Sequence, residues 1–221
     1  MKNIATNHPH PSIQTAMFTE NYKINVRDKN EMRRRLLSTQ LVDLENIEIE
    51  AWAPDDQGKT ITFERAVSLF GDILAASTSK GLCYLGFDSS NRISAYDDLK
   101  RRFPQNSFIE KTSPFQETAI KLMNDPQLQL PIQLHLKGTD FQLKIWEKLS
   151  RIPLGGLTTY AQIGGSNERA RATGTAVGSN PISFLLPCHR VIHSNGTFYG
   201  YFWGPELKEK LLAWEAKRVM L

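Results

Sequence analysis

With 221 residues, 40% of them hydrophobic and 23% charged, the chain is long enough for one or two domains with a sizeable core, and collagen-like, coiled-coil and disordered readings fit poorly. The formal charge of +4 is concentrated C-terminally, with eleven Lys/Arg against six Asp/Glu from Leu136 onward, a weak pointer to a polyanionic partner because such a surplus usually meets only solvent. No apolar run reaches the roughly 18 to 20 residues of a spanning helix, and two cysteines outside any CxxC pair exclude a disulfide scaffold and a four-cysteine zinc site.

Met1 to Glu20 shows neither the apolar core nor the small-residue cleavage site of a secretory signal, so the expected compartment is the cytoplasm, meaning the nucleoid of a bacterium or the nucleus of a eukaryote. Residues 1–50 read as a polar leader that need not be ordered, with Arg27 to Leu37 as a candidate short helix. Its Arg33-Arg34-Arg35 run points to different sides of such a helix and suggests no chemistry. From Lys59 the runs KTITFERA, GDILAAS and GLCYLGF predict three strands in a small antiparallel meander, with Cys83 of the third as a small buried apolar residue. Ser94 to Phe103 and Pro114 to Met123 have helical spacing, and Pro126 and Pro131 interrupt the chain before the apolar IQLHL. Residues 51–135 are therefore expected to form an α+β N-terminal domain.

Residues 136–221 form the second expected domain, mostly helical. Thr139-Asp140 suits an N-cap ahead of Phe141, Ile145 and Leu149 on one face, and Gly155-Gly156 ends that unit. TTYAQI, the turn-forming GGSN and ERARATGTAVGSNP then read as a helix-turn-helix closed by Asn180-Pro181. Its second helix carries little side-chain bulk, which either close helix packing or close approach to a nucleic-acid groove would explain; spacing leaves both open.

The most specific string is Pro187-Cys188-His189-Arg190-Val191-Ile192. A thiol beside an imidazole is a possible nucleophile and base, since the thiolate is the reactive form. Adjacent side chains in an extended segment face opposite ways, however, so His189 helps Cys188 only if the chain bends or a water links them, and a lone Cys-His pair is structural more often than catalytic. In the last helix Pro205 fits the first position, and Leu207, Leu211 and Glu215 share a face. Glu215 then either reaches solvent or finds a partner in His189 or Arg190. His135 and His193 read as ordinary surface or satisfied histidines. One cysteine and His189 are no zinc-ligand set, so neither metal nor cofactor is expected.

GTDFQLKIWEKLSRIPLG, TTYAQI, RARATGTAVGSNP, PCHRVI, GTFYGYFWG and LLAWE, in this order, resemble the O6-alkylguanine-DNA alkyltransferases, or methylated-DNA–protein-cysteine methyltransferases. The resemblance runs from about Lys59 to Glu215 and is strongest after Gly138. It implies irreversible transfer of a methyl or other alkyl group from O6 of guanine in double-stranded DNA to Cys188, one event per molecule, with O4 of thymine left open as a second substrate. It also implies that His189 assists Cys188 through a bridging water and that Glu215 orients the imidazole. Asn180 would tie the active-site segment to the helix-turn-helix, and Pro187 and Arg190 would support it. Arg171 would fill the space of a flipped-out base, and Tyr160 would rotate its 3′ phosphate. Tyr201 would stack on the base, backbone groups of Cys188, Val191 and Phe202 would read its edge, and Trp203 would form a wall. The implied protein is a monomer that binds the minor groove, away from any membrane.

Between Tyr160 and Arg171 the chain is a few residues shorter than the family pattern, so a clipped first helix or a rebuilt turn is expected there. Alkyltransferase-like proteins that only mark the lesion replace the cysteine, usually by Trp, whereas Cys188 is present. A Cys-His hydrolase would need an oxyanion hole, of which the sequence gives no sign. A fused transcriptional role is not expected, because the four-cysteine site of a phosphotriester sensor is missing.

Overall fold

The computed structural model describes residues 25–43, 46–88, 93–125 and 127–219. The first 24 residues of the leader, and Pro126, lie outside them. In its described part the leader departs from an unordered reading. Asp28 caps helix α1 (Lys29–Ser38) by accepting the amides of Asn30 and Glu31, and Met32 and Leu36 are buried beneath it. Strand β1 (Ile47–Ala51) follows. Two apolar side chains suffice to anchor α1, because fully burying one of this size contributes about 1.5–3 kcal/mol.

The expected meander is present as β2 (Thr60–Ser68), β3 (Gly71–Ser77) and β4 (Leu82–Phe87), antiparallel with Phe63 opposite Ala76 and Leu74 opposite Gly86. All of β4 is buried, which is why GLCYLGF lacks polar alternation, and Cys83 lies wholly inside it. Helix α2 (Ala95–Arg102), β5 (Ser107–Glu110), α3 (Pro114–Asn124) and β6 (Ile132–Leu136) complete this part. Ser113 and Gln116 form a reciprocal cap at the start of α3, and the Gln116 amide then donates to Thr62 O and Ser77 Oγ in the sheet.

The sheet corrects the expectation of a small antiparallel one. It has six strands in the order β1-β6-β4-β3-β2-β5, and its β1/β6, β6/β4 and β2/β5 pairings are parallel. Both added outer strands escaped pattern reading for physical reasons. In β1 the alternation of Ile47 and Ile49 with Glu48 and Glu50 sits in an otherwise polar stretch, and β5 is a four-residue edge with little burial. His135, in β6, is fully buried rather than at the surface; its Nδ1 lies 2.8 Å from Thr78 Oγ1 and its Nε2 3.2 Å from Asp56 Oδ2. His193 is exposed.

The C-terminal part is helical. Helix α4 (Asp140–Ser150) is capped by Thr139, and a short β7 (Thr158–Thr159) leads into α5 (Tyr160–Gly164), capped by Thr159 and ended by Gly165 at φ 85°. Helix α6 (Ala170–Gly178), a 3-10 turn at Cys188–Arg190, β8 (Val191–Ile192) and α7 (Pro205–Arg218) follow. Strand β8 pairs in parallel with β7.

Two features join the parts. The segment after Pro181 is laced onto the middle of the sheet, with Leu85 N donating to Pro181 O at 2.9 Å and Ser183 N to Leu85 O at 2.8 Å. Val26, Met32 and Leu36 also share a buried cluster with Leu157, Ile192 and Leu212, which fixes α1 on the C-terminal part. Among the described residues no helix is long and apolar enough to cross a membrane, and no group of three His, Cys, Asp or Glu could hold a metal ion.

Candidate active site

Cys188 lies in a cavity of about 400 Å³ whose lining also includes Tyr160, Asn180, Tyr201, Trp203 and Lys208. The backbone bends sharply to put it there. Phe184 has φ 70° at the centre of a turn closed by Leu185 N donating to Ser183 O, a conformation costing about 1–3 kcal/mol for a residue with a Cβ. Pro187, at φ −78° and ψ 66°, centres a second tight turn closed from Cys188 N to Leu186 O at 2.7 Å. Asn180 fastens both ends of the loop. Its Oδ1 accepts Ile182 N at 2.9 Å, and its Nδ2 donates to Leu186 O at 2.7 Å.

The bend resolves how two adjacent side chains reach one site. Cys188 and His189 share a 3-10 turn rather than an extended strand. The His189 ring is fully buried and stacks against Phe184, with centroids 6.0 Å apart. Its Nε2 lies 2.8 Å from Glu215 Oε1. A carboxylate only accepts, so Nε2 carries the hydrogen and Nδ1 keeps a lone pair; Nδ1 is buried and bonded to no protein group.

Glu215 does not reach solvent. It is fully buried and also accepts Arg190 Nη2 at 2.8 Å, Arg190 Nε at 3.1 Å and Gly155 N at 3.3 Å. Burial alone would raise its carboxyl, but the Arg190 guanidinium and then His189 outweigh it and hold it at about 2. Arg190 also donates to Ile152 O, so it braces the carboxylate against the end of α4. Burial lowers the His189 pKa against the pull of Glu215. With Arg190 balancing Glu215, the imidazole stays neutral and able to accept a proton.

Burial pushes the Cys188 thiol up, opposed by Asn180, the Lys208 ammonium and the Tyr201 hydroxyl. Lys208 is a cavity-lining side chain that pattern reading missed. It is 1% exposed, donates to Val191 O at 2.8 Å, and is depressed by burial to about 8. Its signal is present, since Lys208 lies seven residues before Glu215 on the buried face of α7, but a lysine is normally assigned to solvent. Tyr201 is buried, its own pKa raised by burial and then by the nearby thiol. Trp203 donates to Ser183 Oγ at 2.7 Å and stands edge-on to half-buried Phe202. A Cβ on Gly86 of β4 would strike Trp203 Cζ2 at 2.8 Å, so the sheet backs this wall.

Helix α6 answers both explanations of its small residues. One face, Thr173, Ala176 and Val177, is buried, and a Cβ on Gly164 would overlap Thr173 Oγ1, so α5 and α6 do pack closely. Gly174 and Gly178 are not explained this way: a Cβ at Gly174 would meet only Tyr160, at 3.7 Å, and one at Gly178 would meet nothing. They line the cavity with Tyr160, while Arg171 is exposed on the same helix. The structure thus brings together Cys188, Tyr160, Asn180, Tyr201, Phe202 and Trp203 around the cavity, with His189, Arg190 and Glu215 packed behind it.

A bent, buried thiol with an imidazole held on a braced carboxylate behind its cavity defines a protein with a cysteine-centred site. Comparison with known proteins gives its kind. Residues 140–217 match the family described as 6-O-methylguanine DNA methyltransferase, DNA binding domain. The inducible methylated-DNA–protein-cysteine methyltransferase of Bacillus subtilis is 32% identical over 64% of this chain and 83% of that protein. A methyltransferase of the same name from Methanosarcina barkeri is 37% identical over 67% and 92%. A crystal structure of Mycobacterium tuberculosis OGT in complex with DNA superposes with a TM-score of 0.59 at 29% identity, covering 71% of this chain and 94% of that one. The chain belongs to the methylated-DNA–protein-cysteine methyltransferase family.

Proposed function

We infer that this protein repairs O6-methylguanine in DNA by taking the methyl group onto Cys188. The single observation that carries the reading is Cys188 at a cavity of about 400 Å³, roomy enough for a guanine, with His189, Glu215 and Arg190 packed behind it. The thiol proton passes through one water to His189 Nδ1, the atom left with a free lone pair, and Glu215 stabilises the imidazolium. Lys208 favours the thiolate. The S–CH₃ bond forms as the O6–CH₃ bond breaks, the bonding pair stays on guanine, and the relayed proton ends on the purine ring. Nothing in this sequence of steps regenerates the thiol, so each molecule acts once. Larger O6-alkyl groups, and O4-alkylthymine, are further candidates for the same cavity.

A base stacked in a duplex cannot reach a buried sulfur, so the lesion must be flipped at a cost of a few kcal/mol. Helices α5 and α6 form the helix-turn-helix of this reading, and the five-residue length of α5 supports a clipped first helix over a rebuilt turn. Exposed Gly178 and Ala172 permit close approach to the minor groove, where little sequence can be read. Arg171 fills the gap the base leaves, Tyr160 turns the neighbouring phosphate, Tyr201 stacks on the base, and backbone groups of Cys188, Val191 and Phe202 read its edge. The DNA-binding unit is residues 136–221, supported by the sheet of residues 51–135. The protein acts as a cytoplasmic or DNA-associated monomer without a cofactor.

The test is intact-protein mass spectrometry after incubation with a duplex containing O6-methylguanine, followed by peptide mapping. The expected result is one methyl group, on Cys188, with guanine restored and no turnover. A folded, reduced protein that gains no mass refutes the reading.

A further inference from the structure

The arginine run of α1 suggested no chemistry as a sequence, and the fold fixes its orientation. Burial of Met32 and Leu36 against Leu157, Ile192 and Leu212 sets the rotation of the helix. On one side Arg35 donates to Gly155 O. On the other, Lys29 and Arg33, one turn apart, pack over Gly196: a Cβ there would strike the Lys29 carbonyl and lie 3.2 Å from Arg33 Cγ. Gly196 belongs to a tight turn closed by His193 N donating to Thr197 O at 2.9 Å. The His193 ring stands 5.5 Å from Tyr160 and 6.4 Å from Tyr199, and both tyrosines line the Cys188 cavity. A continuous surface therefore runs from the cavity rim, across the 193–197 turn, to Lys29 and Arg33.

Its charge is predominantly basic, with Asp28 committed to the helix cap and Glu31 to Arg34. Arg27 is paired with Glu209 and Arg34 with Glu31, whereas Lys29 and Arg33 are exposed and have no ion pair or side-chain hydrogen bond among the described residues. From Arg169 to Pro205 the sequence contains no Asp or Glu, so no acid from that segment, which includes the turn, opposes them. The path from His193 to Gly196 is at most about 11 Å, while a duplex carries one phosphate charge per roughly 1.7 Å of axis. Phosphates of DNA seated at the cavity lie within reach of both side chains.

We propose that the Lys29/Arg33 face of α1 grips the phosphate backbone of the same duplex whose base enters the cavity. This contact lies outside residues 140–217, the segment shared with the family model. It rests on the proposed function for the seating of the DNA, and adds a sequence-independent clamp from the N-terminal extension.

The test uses the full chain and an undamaged duplex, with affinity measured between about 50 and 200 mM salt. Lys29→Gln/Arg33→Gln is expected to lower the steepness of log K against log salt by about 0.9 for each phosphate that the variant no longer neutralises. Lys111→Gln, at the β5 edge of the sheet, removes a charge elsewhere and is expected to keep the wild-type slope. Thermal melting and reaction of Cys188 with free O6-benzylguanine show whether the variant is folded. A double variant with the wild-type slope overturns the proposal, as does a Lys111→Gln slope that falls equally, which would mean net charge alone. A wild-type protein that shows this salt-dependent binding but takes no methyl group from a damaged duplex refutes the repair reading and leaves the clamp standing.

Discussion

Glu215→Gln tests the brace behind the thiol. Glutamine keeps the volume of Glu215 but removes the charge facing Arg190, whose side chain is 10% exposed, and sets an amide among donors. Breaking a buried ion pair by deleting one partner costs about 3–5 kcal/mol. The depressed carboxyl gives a consistent figure, because a group held at about 2 instead of 4.5 contributes about 3 kcal/mol at neutral pH. The folded pKa is the lower one, so this stability is present in full above the unfolded value of 4.5 and is lost as pH falls through the folded value. Urea unfolding of the reduced protein should show the variant about 3–5 kcal/mol less stable at pH 7, with its melting point lower by roughly 6–20 °C for a chain of this length. The gap should shrink by about half or more at pH 3. A variant within about 1 kcal/mol of wild type at pH 7, or a gap unchanged at pH 3, would refute the brace.

Cys188→Ala should abolish methyl transfer by mass spectrometry yet keep duplex affinity in a gel-shift titration. Arg171→Ala should slow repair of duplex far more than reaction with free O6-benzylguanine, and equal losses would remove its role in base flipping. Lys208→Met should move the pH profile of Cys188 alkylation by iodoacetamide upward, because the thiolate loses its nearest cation. The same change should not destabilise the fold at pH 7. Burial holds the ammonium at about 8 instead of 10.5, so its penalty of about 3 kcal/mol is carried below pH 8 and fades toward 10.5, which offsets the roughly 1.5–3 kcal/mol of a charged hydrogen bond to Val191. Gly86→Ala should cost about 1–3 kcal/mol in chemical denaturation, since the new methyl overlaps the Tyr84 hydroxyl first and Trp203 Cζ2, at 2.8 Å, after it.

Local pattern carried the three meander strands, α2, α3 and the capped start of α4, because burial alternation and caps are written within a few residues. It did not carry β1, β5 or the parallel pairings, which depend on partners far along the chain. The motif string located Cys188, but not how adjacent side chains could cooperate. That depends on Phe184 at φ 70° and on the Asn180 hydrogen bonds, neither visible as periodicity. The fate of Glu215 was open for the same reason: spacing put it on the apolar face, and only the fold supplied Arg190. Lys208 was hidden by its residue type, and although Arg27 to Leu37 read as a helix, its charged composition masked the burial of Met32 and Leu36.

The lacing of the Pro181–Ser183 segment onto β4 has a kinetic consequence. A loop held by backbone bonds to a central strand cannot reach outward without breaking those bonds, so in the proposed reaction the sulfur stays where it is and the nucleic acid does the moving. In the proposed reaction the rate then tracks how easily the lesion leaves its stack. Flanking pyrimidine–purine steps, which unstack readily, should be mended sooner than stiff A-tracts by a protein that reads neither sequence.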